Sequence, residues 1–434
     1  MSKRAALYQQ FDPLRPLEAN EEDLYVDWQR ELGADDVKQR LASSITLSGA
    51  IPVCRLFTGH RGVGKTTELK RVKRTLEQGR TARRLFVSLL QATQWMDLQD
   101  VKPPDIVFHI VRQLVEDLEA AGFSFARTSF TEFFKEFRDQ LNREVDIKGI
   151  KLPAGGVDID VVLKDIPIAR ATLRTLLEGH LPTIYHLINE VVLNKAKKWL
   201  GKPENGGFED VLVIVDELDQ IPQKVINDQG LTNHENVFLD HAGVLRFLSC
   251  DVLYTVPIEL AYSRCRERLK QAYSAEILDL PVIPVAQRDG EDSPAGLRAM
   301  CRIVEERTRK AGATLEEFFD EKGLLEFLCR LSGGHVRNLF ILLRSSLERC
   351  QQLPITAEIV DRTVRRQADD ISLPLGGKEW EVLRKVHQSN RPPDEDQELW
   401  YGLLRDLFVF AYQDSAGLWY DWNPLLGEIP GGGR

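Results

Sequence analysis

The chain is short of sulfur: its 434 residues include six cysteines and three methionines. Cys54, Cys250, Cys265, Cys301, Cys329 and Cys350 form no C-x-x-C pair. That disfavours a zinc ribbon and a disulfide scaffold, and leaves reduced, mostly buried thiols as the expectation. The eight histidines show no ligand spacing; His234 and His241 are seven apart, with no third ligand beside them. No apolar run approaches the ~20 residues that cross a bilayer. The first residues, Met1 to Asp12, lack the apolar stretch of a secretory signal. Cytoplasmic residence, with no membrane partner, is therefore expected. A positive balance is absent too. Lysine and arginine total 57 against 66 acids, a net charge of −9, which disfavours a protein coated by nucleic acid over its whole surface. Local basic stripes such as Arg71-Lys73-Arg74 and Arg362-Arg365-Arg366 remain, and such stripes are usually solvated helix faces.

What is present is more specific. Gly59-His60-Arg61-Gly62-Val63-Gly64-Lys65-Thr66-Thr67 fits G-x-x-x-x-G-K-[ST], the phosphate-cradling P-loop. Its glycines let the backbone wrap closely with N–H groups turned inward. The helix opening at the lysine adds its positive end. Lys65 is placed to reach β- and γ-phosphates, and the Thr66 hydroxyl to bind Mg²⁺. The context agrees. Pro52 to Thr58 reads as a strand, and Glu68 to Gln78 as a helix with Leu69, Val72 and Leu76 on one face.

A second acidic element follows downstream. Val211-Leu212-Val213-Ile214-Val215 is an aliphatic run suited to a strand buried on both faces, and Asp216-Glu217 closes it. Acids at the C-terminal end of such a strand match a Walker B element, in which Asp216 holds Mg²⁺ and Glu217 polarises the attacking water. Arg84–Leu90, Asp251–Pro257 and Glu276–Ile283 read as further strands, alternating with helices at Pro104–Ala121, about Ile168–Leu200 and around Arg264–Lys270. The alternation predicts an α/β fold with a doubly wound parallel sheet.

Other segments are less regular. Asn20 resembles a helix cap, and a helix to about Leu47 is expected, interrupted near Gly33. A long helix at about Thr128–Glu144 is followed by two alternating arms, Val145–Leu152 and Val157–Leu163, that read as a β-hairpin. From Ser293 the pattern is helical: Leu297–Lys310, Leu315–Leu331 and Val336–Gln351, then a final segment from about Thr356. Leu403 to Trp422 reads as a helix followed by a hairpin, which suits a winged-helix-like module. The expected division is an N-terminal linker and helix at 1–45, a P-loop core at 46–290 with an insertion at about 123–200, a helical lid at 291–355 and the winged-helix-like domain at 356–434.

With these residues in hand, the chain resembles the AAA+/STAND P-loop ATPases, especially the branch near the origin-recognition initiators, over roughly residues 10–425. The carriers are the P-loop, Val213–Asp219 and Leu331-Ser332-Gly333-Gly334-His335-Val336-Arg337-Asn338-Leu339. The last looks like the family's sensor 2 element, which implies that Arg337 contacts the γ-phosphate from the lid. A fixed, always-charged fork suits that task. The resemblance also implies a sensor 1 at the end of the fourth strand, where Thr255 is the nearest polar residue. An arginine finger from a neighbouring subunit is implied among Arg264, Arg266 and Arg268, although an exposed basic helix face explains them equally well. ATP and Mg²⁺ are the implied cofactors.

Two functions compete. One is an ATP-hydrolysing regulatory switch that changes domain orientation or oligomerises to control an effector protein, a role related bacterial proteins fill, including in anti-phage defence. The other is a DNA-acting initiator or loader that uses the winged helix. From Asp369 to Arg434 there are 12 acids against 6 Lys or Arg. A DNA-bound winged helix is usually basic, so the switch ranks first.

Overall fold

The computed structural model describes residues 2–124, 164 and 167–429. The expected helix at 128–144 and the hairpin arms at 145–163 lie outside the described residues. The helices used below are, in chain order, α1 (Lys3–Gln10), α2 (Lys65–Glu77), α3 (Pro103–Ala120), α4 (Pro167–His186), α5 (Arg266–Tyr273), α6 (Pro294–Lys310), α7 (Leu324–Leu331), α8 (Val336–Arg349), α9 (Ala357–Ser372), α10 (Gly377–Ser389) and α11 (Gln397–Arg405). The strands are β1 (Cys54–Thr58), β2 (Leu85–Gln91), β3 (Asp210–Asp216), β4 (Asp251–Thr255), β5 (Ile277–Asp279), β6 (Val409–Asp414) and β7 (Gly417–Trp422). The chain divides into two compact units. One comprises residues 1–39, 59–70 and 279–434; the other comprises 40–58 and 71–278.

The second of these units is built on the sheet. Its strand order is β2-β3-β4-β1-β5. The β2–β3, β3–β4 and β4–β1 pairs are all parallel. β3 is buried along its whole length, as its aliphatic run requires. The starts of β3 and β4 are tied together. Arg83 bridges Asp210 at 3.2 Å and Asp251 at 3.1 Å, so two buried carboxylates share one cation. α3 packs one apolar side, Ile106, Ile110, Leu114 and Leu118, into the same core. The expected long helix up to Leu200 is present: α4 continues through a widened turn at Leu187–Leu193 and ends in Asn194–Leu200.

The other unit gathers the P-loop with the N-terminal segment and all the C-terminal helices. Phe11, just after α1, stacks on Phe318 at 5.6 Å and meets the edge of Phe340 in α8. α10 and α11 are followed by the β6–β7 hairpin, the helix-then-hairpin order expected near Leu403–Trp422. The hairpin turns through Ser415 and Ala416, with Asp414 accepting the Ala416 N–H and Gly417 at φ 111°.

The α/β class, the helical lid and the C-terminal module are thus as expected, but several elements differ in extent. β5 stops at Asp279 and does not run to Ile283. Pro281 and Pro284 carry no N–H to extend a ladder. The expected helix 315–331 is two pieces, Leu315–Phe318 and α7, because Phe319 leaves the helix and Gly323 adopts φ 98°. Asn20 starts no helix; the segment turns instead, and helix appears at Trp28–Glu31 and Val37–Thr46.

Candidate functional site

The residues singled out by the sequence fall on both units. The P-loop and Arg337 belong to the unit with the C-terminal helices; Asp216, Glu217, Thr255 and the three candidate finger arginines belong to the sheet unit.

The P-loop directly follows β1. Gly59, Gly62 and Gly64 have φ of 149°, 85° and 112°, values that L side chains rarely adopt. These angles turn the loop so that Lys65, the first residue of α2, folds back over it. Its buried ammonium donates to the carbonyls of Gly59 and His60, both at 2.8 Å. Val63 is buried, and Arg61 and Thr66 are partly buried. The Thr67 hydroxyl accepts the Leu17 N–H at 3.1 Å, which anchors the N-terminal segment to the loop.

The lid element closes on the same loop. Ser332 caps the end of α7, and Gly333 and Gly334 turn the chain with φ of 61° and 78°. His335 then caps α8 by accepting the Asn338 N–H. Its other ring nitrogen donates to the Arg61 carbonyl at 2.7 Å. Arg337 lies against Gly62. A Cβ at that glycine would stand 2.7 Å from the arginine's Cβ and Nε, so only glycine lets the two meet. The Arg337 Nε also donates to the Pro13 carbonyl at 3.1 Å.

A third contact was not foreseen. The His60 imidazole, inside the P-loop, accepts the Ala411 N–H of β6 at 2.9 Å. Phe410, the neighbouring hairpin residue, stacks flat on His335 at 5.4 Å and presents its edge to His60 at 5.7 Å. Tyr412 donates to the Gly333 carbonyl at 2.8 Å. Hairpin, lid turn and P-loop therefore meet around one phenyl ring. No local periodicity marks a contact 351 residues apart.

Both histidines are neutral here. Burial, with Arg337 and Lys65 nearby, holds His335 down at about 4, and burial beside His335 and Lys65 holds His60 well below the ordinary imidazole range. A depressed pKa means that the folded state binds fewer protons than the unfolded state. Stability is then complete above the ordinary imidazole value and is lost as pH falls through it toward the folded value. His335 is expected to remove about 2 kcal/mol between pH 7 and pH 5, and His60 acts in the same direction. Urea unfolding at those two pH values, followed by tryptophan fluorescence, measures it. A His335→Gln chain that loses as much stability as the parent on acidification would refute the assignment.

On the sheet unit, Asp216 is buried at the end of β3, and its Oδ1 accepts the Glu217 N–H at 2.7 Å. Glu217 adopts φ 70°, a left-handed turn that is rare for a non-glycine residue. Its carboxylate accepts from both the hydroxyl and the N–H of Thr93, just beyond β2, the latter at 3.2 Å. Thr93 had given no signal in the sequence; it becomes visible only because β2 and β3 pair in register up to Gln91 and Asp216. Thr255, fully buried at the end of β4, accepts the Leu218 N–H at 3.1 Å and so braces the same turn. Of the candidate finger residues, Arg264 and Arg268 are exposed. Arg266 opens α5, bonds the Ala261 carbonyl at 2.9 Å and lies over the Tyr262 ring. Among the described residues no group of three or more His, Cys, Asp or Glu is arranged to hold a metal ion, and no helix is long and apolar enough to cross a membrane.

No family profile matches the chain. No curated protein matches it either. Similar solved structures include the Aeropyrum pernix ORC2 protein in ADPNP–ADP complexes, at 16% identity, covering 96% of this chain and 93% of that one, with a TM-score of 0.43. The Walker-type ATPase PABY2304 of Pyrococcus abyssi is 13% identical over 96% of this chain and 98% of its own, with a TM-score of 0.45. The Aeropyrum pernix ORC1 protein, solved in complex with DNA, is 13% identical over 98% and 94%, with a TM-score of 0.37.

Proposed function

We propose that the protein is an ATP-binding and ATP-hydrolysing switch of the AAA+/STAND type, in which nucleotide at the P-loop sets the posture of the lid and the C-terminal module and thereby controls an effector protein. The observation that carries this reading is the meeting of two segments on one loop through three contacts: the lid turn places Arg337 on Gly62 and His335 on Arg61, and the hairpin places β6 on His60. A loop that only held a phosphate has no need of two further modules hydrogen-bonded to it, one at the Arg61 carbonyl and one at the His60 ring. In this reading the core is 46–290, the lid 291–355 and the winged-helix-like domain 356–434. Gly59 to Thr67 hold the phosphates, with Lys65 and Arg337 supplying fixed positive charge. The Thr66 hydroxyl and the Asp216 carboxylate are hard oxygen donors, the chemistry Mg²⁺ prefers. The ion would supply charge neutralisation at the phosphates. Glu217 orients the attacking water, and Thr93 holds Glu217 until it is needed.

The basic residues of α9 weigh against the DNA-acting alternative. Arg362, Arg365 and Arg366 are paired with Glu358, Asp361 and Asp370 one turn away, so this helix offers phosphate little unshared charge.

Glu217→Gln is expected to keep ATP binding and lower turnover by about 100-fold, since a positioned base contributes at least that much. Native mass measurement of this variant, with and without ATP, is the deciding experiment. An ATP-dependent change of assembly, or a co-purified chain released by ATP, supports the switch. Normal turnover in the variant, or an assembly indifferent to ATP, rejects it.

A further inference from the structure

Six thiols are free in this structure, and five of them are buried. Cys54 is typical: burial pushes its thiol up to about 12, out of reach of ordinary oxidants. Cys301 differs. It lies on α6, is partly exposed, and its sulfur is 3.8 Å from that of buried Cys329 on α7. Two thiols on adjacent helices need only small side-chain rotations to bring sulfurs at that separation into bonding distance.

We propose that Cys301 and Cys329 form a reversible thiol-oxidation site that reacts with small peroxides and closes as a disulfide between α6 and α7. Cys301 is the attacking thiol and Cys329 the resolving one. The surroundings set this order. Cys301 is the thiol that peroxide can reach, since Cys329 is buried. The hydrogen bond shared by the two sulfurs lowers the pKa of Cys301, while burial, together with that bond, holds Cys329 well above the ordinary thiol range. Arg330 also lowers Cys301, and Glu326 and Glu305 oppose it.

The chemistry balances without any other redox group. The Cys301 thiolate attacks one oxygen of hydrogen peroxide, the O–O bond breaks, and hydroxide leaves to take up a proton as water. Cys301 is then a sulfenic acid. The Cys329 sulfur attacks that sulfur, the S–O bond breaks, and the departing hydroxyl leaves with the Cys329 proton as a second water. Two thiols have lost two electrons, and one peroxide has become two waters. A dithiol reductant reverses the bond by exchange.

The consequence is local and mechanical. α7 runs straight into Ser332, Gly333, Gly334 and His335, the turn that grips the P-loop. A bond from Cys329 to α6 fixes the root of that turn. The proposal does not depend on nucleotide binding.

The test treats the full-length chain with a few equivalents of hydrogen peroxide, blocks residual thiols with an alkylating agent and reads the mass. The expected product is lighter by about 2 Da before alkylation and yields a Cys301–Cys329 crosslinked peptide that dithiothreitol releases. Cys329→Ser should stop at a Cys301 sulfenic acid, heavier by about 16 Da and trapped by dimedone. Cys301→Ser should leave Cys329 unmodified. A disulfide joining any other pair overturns the proposal. So does a parent chain whose Cys301 stays as sulfenic acid beside an unreacted Cys329, or one in which both thiols survive peroxide that oxidises free cysteine.

Discussion

Replacing Lys65 with alanine is expected to weaken ATP binding by about 1000-fold while leaving the chain folded. The magnitude follows from what the ammonium does. In this structure it donates to two loop carbonyls, Gly59 and His60, at 2.8 Å each. Those carbonyls fix it at the mouth of the loop, so little side-chain entropy remains to be lost when it turns to a phosphate. Two charge-assisted hydrogen bonds to a polyanion contribute about 4 kcal/mol together, and 1.4 kcal/mol is a tenfold change in affinity. Losing the internal bonds to Gly59 and His60 costs about 1–2 kcal/mol of stability, because carbonyls are easier to leave unpaired than donors. Calorimetric titration of the purified variant with ATP and Mg²⁺ gives the affinity, and a thermal melt without nucleotide gives the fold. Affinity within tenfold of the parent, in a variant that melts normally, would remove the P-loop from the proposed function.

The sequence made the central elements legible for a plain reason: each is coded by neighbours in the chain. The aliphatic run before Asp216 suits a strand buried on both faces, and its shortness and β-branched valines favour strand over helix. The glycines at 59, 62 and 64 sit where the backbone must take positive φ, and a lysine follows at the start of a helix. The segment Leu331–Leu339 is legible only through its likeness to a sensor 2 element, and the positive φ of Gly333 and Gly334 supplies its physical reason. What stayed hidden depends on tertiary pairing. Thr93 meets Glu217 only because two strands end level. His60 meets Ala411 only because the hairpin returns to the P-loop after the whole rest of the chain. In the motif itself His60 occupies a variable position, so the pattern placed it in the phosphate loop but gave no sign of a contact with the hairpin. Element ends were also misplaced wherever proline or a single glycine outweighed the apolar period, as at Pro281 and Gly323.

The same contacts set the cost of disturbing the lid turn. Gly334→Ala is expected to destabilise the unit containing the P-loop by about 3 kcal/mol or more, the sum of a left-handed backbone forced on alanine and a steric overlap. Gly334 has φ 78°, and a Cβ built there would lie 1.7 Å from the Ile283 carbonyl oxygen and 2.8 Å from its carbon. Backbone is the obstacle, so no rotamer change relieves it. Ile283 cannot retreat easily, because its neighbour Val282 donates to the Ala411 carbonyl of β6 at 3.3 Å. The overlap therefore reaches the hairpin that holds His60 and Phe410. For a unit of this size the loss corresponds to a melting temperature lower by on the order of 10 °C. Gly312→Ala is the control that separates the two causes. Gly312 has nearly the same φ, 74°, but nothing within 4 Å of the built Cβ. It should cost only the backbone share, about 1 kcal/mol. Differential scanning calorimetry of the two variants decides the matter. Equal destabilisation would mean that the lid turn is not packed against the Ile283 carbonyl, and the grip of the lid on the P-loop would have to be drawn differently.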